Sequence, residues 1–214
     1  MWYNRAMNPL VVYAVACLCA YVIGSIPFGF LIGKARGVDV RTVGSKNIGA
    51  TNVYRTVGKT WGFLAFACDF LKGLLPTLAA KWYAGSHGGL EHLALAVGVA
   101  CVVGHTLTIF MKFKGGKGVA TAFGMLVGLM PWLVLSAFAL FVVTVALSHY
   151  ISLGSCLAAA FLAVAVWFPI PYIHPEGRAD LPLCVLVTLI AVFVIWKHRS
   201  NIKRLAKGEE NKIF

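Results

Sequence analysis

Charge is what this chain has least of. Of its 214 residues seven are Asp or Glu and nineteen are Lys or Arg, so that 12% are charged while 60% are hydrophobic; the mean hydropathy is +0.83. A soluble domain is about half apolar and cannot hide this much more. The sequence also lacks any sustained apolar–polar alternation, which argues against a membrane barrel and for helical spans. Linkers, low-complexity stretches and clear internal repeats are missing too, so residues 1–214 read as a single domain. Cysteine pairs of the C-x-x-C type are absent. Cys17, Cys19, Cys68, Cys101, Cys156 and Cys184 lie in apolar blocks with no His or carboxylate at ligand spacing, and read as small apolar residues and not as metal ligands or disulfides.

What the chain does have is long apolar blocks, at residues 9–33, 61–83, 90–111, 119–147, 151–170 and 181–196. Each reaches or approaches the ~20 residues needed to cross a hydrocarbon core. A cleaved signal peptide is an alternative for the first block, with Arg5 before it, but the run is too long and lacks a small-x-small exit. Basic residues gather in three places: six between Lys34 and Lys59, three at Lys112, Lys114 and Lys117, and six from Lys197 to Lys212. The positive-inside rule puts all three on the cytoplasmic side. An even number of crossings must then separate the second loop from the tail, where three blocks are visible. Met130-Pro131-Trp132 interrupts the longest of them, and proline breaks a helix. The expected fold is therefore an all-α polytopic membrane protein of seven transmembrane helices, with the N-terminus outside and the C-terminus cytoplasmic. A five-span arrangement, with one block lying on the membrane surface, also satisfies the charge rule.

The formal charge of +12 does not imply nucleic-acid binding, since no basic domain interleaved with aromatics lies outside the membrane. It suits a face that meets anionic lipid and anionic substrate. In the first inner loop, residues 44–55 combine glycines with Ser45, Lys46, Asn47, Asn52 and Arg55, a mixture that turns N–H groups and side-chain donors toward one oxyanion. In the second, Lys114-Gly115-Gly116-Lys117-Gly118 opens directly into an apolar helix, adding a helix N-terminus to two ammonium groups. This is not a P-loop, because the glycine spacing, the Ser or Thr after the lysine and the preceding strand are all missing. In the tail, His198, Asn201 and Leu205 share a helix face, and Glu209 stands out as an acid in a basic stretch that can pair with an arginine. Asp69 and Lys72, three residues apart inside the second block, are expected to form a structural ion pair. His87, His92 and His174 receive no role.

Taken in order, these segments resemble the signature motifs of the bacterial acyl-phosphate:glycerol-3-phosphate acyltransferases of the PlsY type. The match runs through G-S-x-N-x-G-A-T-N-x-x-R at residues 44–55, G-H and F-K-G-G-K-G-V-A-T at 104–121, and H-x-x-N-x-x-R-L-x-x-G-x-E at 198–210, whose acid falls at Glu209 or Glu210. Further likeness lies in Gly24-Ser25-Ile26-Pro27-Phe28-Gly29, Asp69-Phe70-Leu71-Lys72-Gly73 and Tyr150-Ile151-Ser152-Leu153-Gly154-Ser155. One departure is His149, where the family often carries arginine; no phosphate contact is assigned there.

The resemblance implies a multi-pass enzyme of the bacterial cytoplasmic (inner) membrane with its site facing the cytoplasm. It implies transfer of a fatty acyl group from acyl phosphate to the sn-1 hydroxyl of glycerol 3-phosphate, giving lysophosphatidic acid and phosphate at the first step of phospholipid synthesis. The partners it implies are those two substrates and membrane lipid; the oligomeric state stays open, a monomer being sufficient. No cofactor or metal is called for, since the mixed anhydride is already activated. The catalytic residues it points to are Ser45, Arg55, Lys114, His198 and Asn201. Those expected to bind substrate are Asn47, Gly49, Asn52, His105, Gly115, Gly116, Lys117, Ser152 and Glu209. The Gly115 and Gly116 amides are expected to face phosphate, and His198 is the tail side chain whose ordinary pKa suits a general base.

Other readings fit less well. No histidine is followed five residues later by Asp, as an acyl-CoA-dependent H-x-x-x-x-D enzyme requires, and no G-x-S-x-G elbow or phosphatase-type pair of histidines is present. A small anion transporter would place its polar residues at the midplane of an inverted repeat, whereas here they collect at one face.

Overall fold

The computed structural model describes residues 8–168 and 180–213, and every regular element among them is helical. The side of the N-terminus and the signal-peptide alternative, which rest on residues 1–7, lie outside the described residues, as do His174 and most of the outer loop at 171–182. Asn8 starts α1 (Pro9–Ser25) by accepting from the Leu10 amide, with Pro9 at the first helical position. A break at Ile26-Pro27 leads into α2 (Phe28–Ala35), then the short α3 (Ala50–Thr56), α4 (Lys59–Ser86), α5 (Leu93–Thr106) and a 3-10 turn at Ile109–Met111. Next come α6 (Val119–Leu129), α7 (Pro131–Ser148), α8 (Ile151–Ala165), α9 (Leu181–Lys197) and α10 (Arg199–Lys207).

Among the described residues four stretches are long and apolar enough to cross a membrane: 9–35, Lys59–Ser86, Leu93–Met111 and Pro131–Ser148. A fifth is α9 with α10, which bends away by 52°. The helices α6 and α8 are apolar but shorter. The long fourth block divides where its proline stands, α6 ending at Leu129 and α7 beginning at Pro131.

Helices in lipid gain little from apolar burial against one another and associate by close backbone approach. Here glycine supplies that approach. A Cβ on Gly24 of α1 would sit 2.2 Å from the Cys101 carbonyl oxygen of α5, and one on Gly73 of α4 would sit 2.1 Å from the Thr121 oxygen of α6. Around these contacts a core gathers Met125, Val134, Val187 and Ala191, while Trp82, Trp132 and Leu147 are exposed on the outer surface. The ends of α5 and α9, the loop before α3 and the turn before α6 are thereby brought together at one end of the bundle.

Candidate active site

The loop before α3 is wound around one side chain. Asn52, 1% exposed on α3, donates through Nδ2 to the carbonyls of Val40 (2.8 Å) and Asn47 (2.9 Å), and its Oδ1 accepts from the Ser45 amide (2.9 Å). Its amide is thus used up in shaping the loop, and the expectation that Asn52 binds substrate is corrected to one that it builds the loop. Gly44 passes directly over it with φ +58, where a Cβ would lie 2.3 Å from Oδ1. Asn47 turns the chain by accepting from the Gly49 amide (2.8 Å), and Gly49 leads into α3. Ser45 and Lys46 are left exposed.

The glycine turn is also committed to structure. Gly115 N–H donates to the Thr106 carbonyl and Gly116 N–H to that of His105, both at 3.1 Å, satisfying carbonyls that the end of α5 leaves open. The expectation that these two amides face phosphate is therefore corrected: their direction is set by capping α5. The N–H groups of residues 119–121 at the start of α6 have no backbone acceptor among the described residues and lie at the positive end of that helix. Lys114 is exposed. Lys117 is half-buried, and its ammonium donates to Asn201 Oδ1 of α10; burial pushes it down to about 8.

His105 lies behind this turn, 5% exposed, with Nδ1 3.5 Å from Asp69 Oδ1. The same carboxylate oxygen is 2.7 Å from Lys72 Nζ, so the ion pair expected within α4 is present.

In the tail, His198 sits at the bend between α9 and α10 and is buried. Its Nδ1 is 2.8 Å from the Val194 carbonyl, which can only accept, so Nδ1 carries the proton and Nε2 is left as an acceptor. Burial and the Lys117 ammonium push the imidazole down to about 4. The imidazole is thus held below the ordinary range on which the general-base expectation was based.

The acid that locks the tail is Glu210, and the assignment of Glu209 is corrected. Glu209 is exposed, and among the described residues its one bond is from its backbone N–H to the Arg204 carbonyl. Glu210, 7% exposed, accepts from Asn201 Nδ2 (2.6 Å) and Ser152 Oγ (3.0 Å) on one oxygen and from Arg204 Nε (2.7 Å) on the other. Burial alone would raise its pKa, but the bonds from Asn201, Arg204 and Ser152 outweigh it and hold the carboxyl below its ordinary range. Ser152, expected to bind substrate, spends its hydroxyl proton here. Arg55 Nη2 donates to the Asn211 carbonyl (2.8 Å), and the Ile213 amide to that of His149 (2.9 Å). Sequence reasoning left Arg204 out of the site; its place three residues after Asn201 on one helix face was the available signal.

Arg55, Lys117, His198, Asn201, Ser152 and Glu210 thus converge from five separate segments. Beside them an apolar cavity of about 110 Å³ runs between α6, α7, α8 and α9, starting at Val119 and Ala120 and passing Phe123, Phe138, Ala159 and Val187. Cations and neutral donors at the mouth of an apolar groove suit an anionic amphiphile.

Residues 14–208 match a family profile described as glycerol-3-phosphate acyltransferase. A glycerol-3-phosphate acyltransferase of Geobacter sulfurreducens is 50% identical over 207 residues, covering 96% of this chain and 98% of its own. That of Geobacter metallireducens is 52% identical over 194 residues, covering 90% and 93%. The fold is similar to the crystal structure of PlsY (YgiH), an integral membrane glycerol 3-phosphate acyltransferase, in its glycerol 3-phosphate form, with TM-score 0.83 and 36% identity over 94% of this chain and 95% of that one. The lysophosphatidic acid form of the same enzyme gives TM-score 0.80 and 35% identity, with the same coverage.

Proposed function

Because the chain belongs to the glycerol-3-phosphate acyltransferase family, a membrane enzyme family that acylates glycerol 3-phosphate, we propose that its donor is an acyl phosphate and that transfer occurs where the three basic segments meet. The carrying observation is the seating of Lys117 and Asn201 against one another at the mouth of the apolar groove. The acyl chain lies in the groove, which leaves its phosphate at the start of α6. Lys114, Lys117 and the free N–H groups of α6 hold that phosphate, with Ser45, Asn47 and Arg55 facing it from the first loop. His198, through Nε2, accepts from a hydroxyl of glycerol 3-phosphate, and Asn201 with Lys117 orients the acceptor.

In the transfer the sn-1 oxygen forms a bond to the acyl carbon, the bond from that carbon to the phosphate oxygen breaks, and the hydroxyl proton passes to a phosphate oxygen. The cations neutralise the charge that grows on the leaving phosphate; each such preorganised donor lowers the barrier by about 3 kcal/mol. The anhydride supplies the activation, so the scheme contains no cofactor. Lysophosphatidic acid and phosphate are the products.

We place the protein in the bacterial inner membrane with seven crossings, α6 and α8 serving as short ones, and with the site on the cytoplasmic side. The charge distribution supports this orientation. All site residues come from one chain, so a monomer suffices. The test is formation of labelled lysophosphatidic acid from labelled glycerol 3-phosphate by the purified protein, given palmitoyl phosphate or palmitoyl-CoA. Product from the phosphate alone is expected; product from the CoA ester alone would overturn the donor assignment.

A further inference from the structure

One side of α9 carries an apolar stripe at helical spacing: Val185, Leu189, Val192 and Trp196 are 42%, 59%, 58% and 53% exposed. In a multi-pass membrane protein such a stripe meets acyl chains, and this one ends where charges begin. Arg199 stands over the Trp196 ring with its guanidinium carbon 4.4 Å from the centroid. Lys197 Nζ lies 5.8 Å from the same centroid and 5.5 Å from that of Phe193. The guanidinium also donates to the Trp196 carbonyl at 3.3 Å. Two cations thus share one indole at the end of a lipid-facing stripe. Among the described residues neither is paired with a carboxylate, and Glu210, the buried acid of the tail, is taken by Arg204.

After Lys197 the chain bends by 52° into α10, whose two sides differ. Asn201 is buried on one side, where Arg204 holds Glu210. On the other, Arg199, Ile202, Lys203 and Ala206 follow at spacings of three and four and are exposed. An isoleucine 40% exposed between cations suits a helix lying on lipid better than one bathed in water. Two like charges over one ring repel, and a phosphate that accepts from both removes the repulsion. We propose that Trp196, Lys197 and Arg199, with Lys203 one turn further along, form a site for the phosphate headgroup of an anionic phospholipid of the adjoining leaflet, and that the bound lipid steadies α10. Its acyl chains run along Val192 and Leu189. A free phosphate would use neither the stripe nor Ile202; a lipid uses both. Lys197 and Arg199 flank His198 in sequence, so occupancy fixes the bend at which that ring sits and the helix that carries Asn201. The site does not depend on the acyl donor; it takes from the orientation proposed above only that the leaflet is the cytoplasmic one.

The test uses the full-length purified protein in two measurements. In detergent, native mass spectrometry counts adducts of dioctanoyl phosphatidylglycerol and dioctanoyl phosphatidylcholine supplied together, and the anionic lipid is expected to be enriched at least fivefold. Lys197→Gln/Arg199→Gln is expected to abolish that enrichment. Lys59→Gln/Lys207→Gln, which removes the same charge from exposed positions outside the cluster, is expected to keep it. Inorganic phosphate in about tenfold excess is expected not to displace the lipid. In nanodiscs, kcat for lysophosphatidic acid formation from palmitoyl phosphate is expected to be at least threefold higher with one quarter phosphatidylglycerol than in phosphatidylcholine alone. The Lys197→Gln/Arg199→Gln protein is expected to show the parent's phosphatidylcholine rate in both bilayers. Equal adducts of the two lipids, enrichment retained in Lys197→Gln/Arg199→Gln, an equal loss in the control pair, or displacement by phosphate would each overturn the site. A parent indifferent to bilayer charge would overturn its coupling to α10. If the double variant does not fold, Arg199→Gln alone is read in the same way and is expected to lose at least half of the enrichment; full enrichment there overturns the site. A parent that makes no lysophosphatidic acid from acyl phosphate would refute the donor reading, and the adduct measurement would still decide this inference.

Discussion

Arg55 and Asn211, 156 residues apart, are joined by a 2.8 Å hydrogen bond from the guanidinium Nη2 to the backbone carbonyl. The bond ties α3 to the strap of chain beyond α10, and the strap in turn is fastened by Glu210. The candidate site is therefore closed by a tail and not by a loop between spans, and Glu210 takes three of the bonds that hold that tail.

Removing that carboxylate's charge tests this. Glu210→Gln is expected to lower kcat at least tenfold and to destabilise the fold by about 2 kcal/mol, the scale of a lost charge-assisted bond. Glu209→Gln, one residue earlier and exposed, is expected to match the parent. Thermal unfolding and turnover measured on both variants separate the two positions.

Lys117 gives the enzyme an alkaline limb. Its ammonium is depressed from 10.5 to about 8 by burial, so kcat/KM is expected to fall as pH rises through about 8, where the free enzyme loses that cation. Lys117→Arg should abolish this limb. The stability change has the opposite sign: between about 8 and 10.5 the unfolded chain holds the proton more tightly than the fold, so this group's contribution to stability rises with pH across that window.

On the acid side, His198 is expected to contribute no inflection near 6.5, because the imidazole protonates only at about 4. A kcat profile with a histidine inflection between 6 and 7 that disappears in His198→Gln would contradict the neutral-acceptor role.

Ala159 lines the groove and is 8% exposed. Ala159→Phe fills that space, and the KM for palmitoyl phosphate is expected to rise about tenfold, with that for glycerol 3-phosphate unchanged and a short-chain acyl phosphate less affected. Equal losses on both substrates would place the acyl chain elsewhere.

Ser45→Ala, Lys114→Ala and His198→Ala are each expected to reduce turnover at least a hundredfold in protein that still inserts into the membrane. Parental turnover in all three folded variants would dismiss the proposed site.

The helices were legible because apolar runs and a mid-block proline act locally: the break after Leu129 follows from Pro131 alone. The pairing of Asp69 with Lys72 was legible for the same reason, since three residues on a helix define one face. What the sequence concealed depends on direction in space. Nothing in Gly115-Gly116 says that its N–H groups turn back to cap α5, and nothing in Asn52 says that its amide faces inward to Val40 and Asn47. The choice between Glu209 and Glu210 was likewise decided by the turn after α10, where Gly208 at φ +70 points one acid outward and the next inward. The fall of the His198 pKa came from burial and from Lys117, a neighbour 81 positions away in sequence.

The strap beyond α10 also sets an order of events during synthesis. A growing chain can place both basic loops and every apolar block in the bilayer before residue 210 has left the ribosome, yet until then Ser152, Asn201 and Arg204 have no common acceptor and Arg55 has no carbonyl to hold. A chain that stops before residue 210 is therefore expected to reach the membrane without turning over substrate.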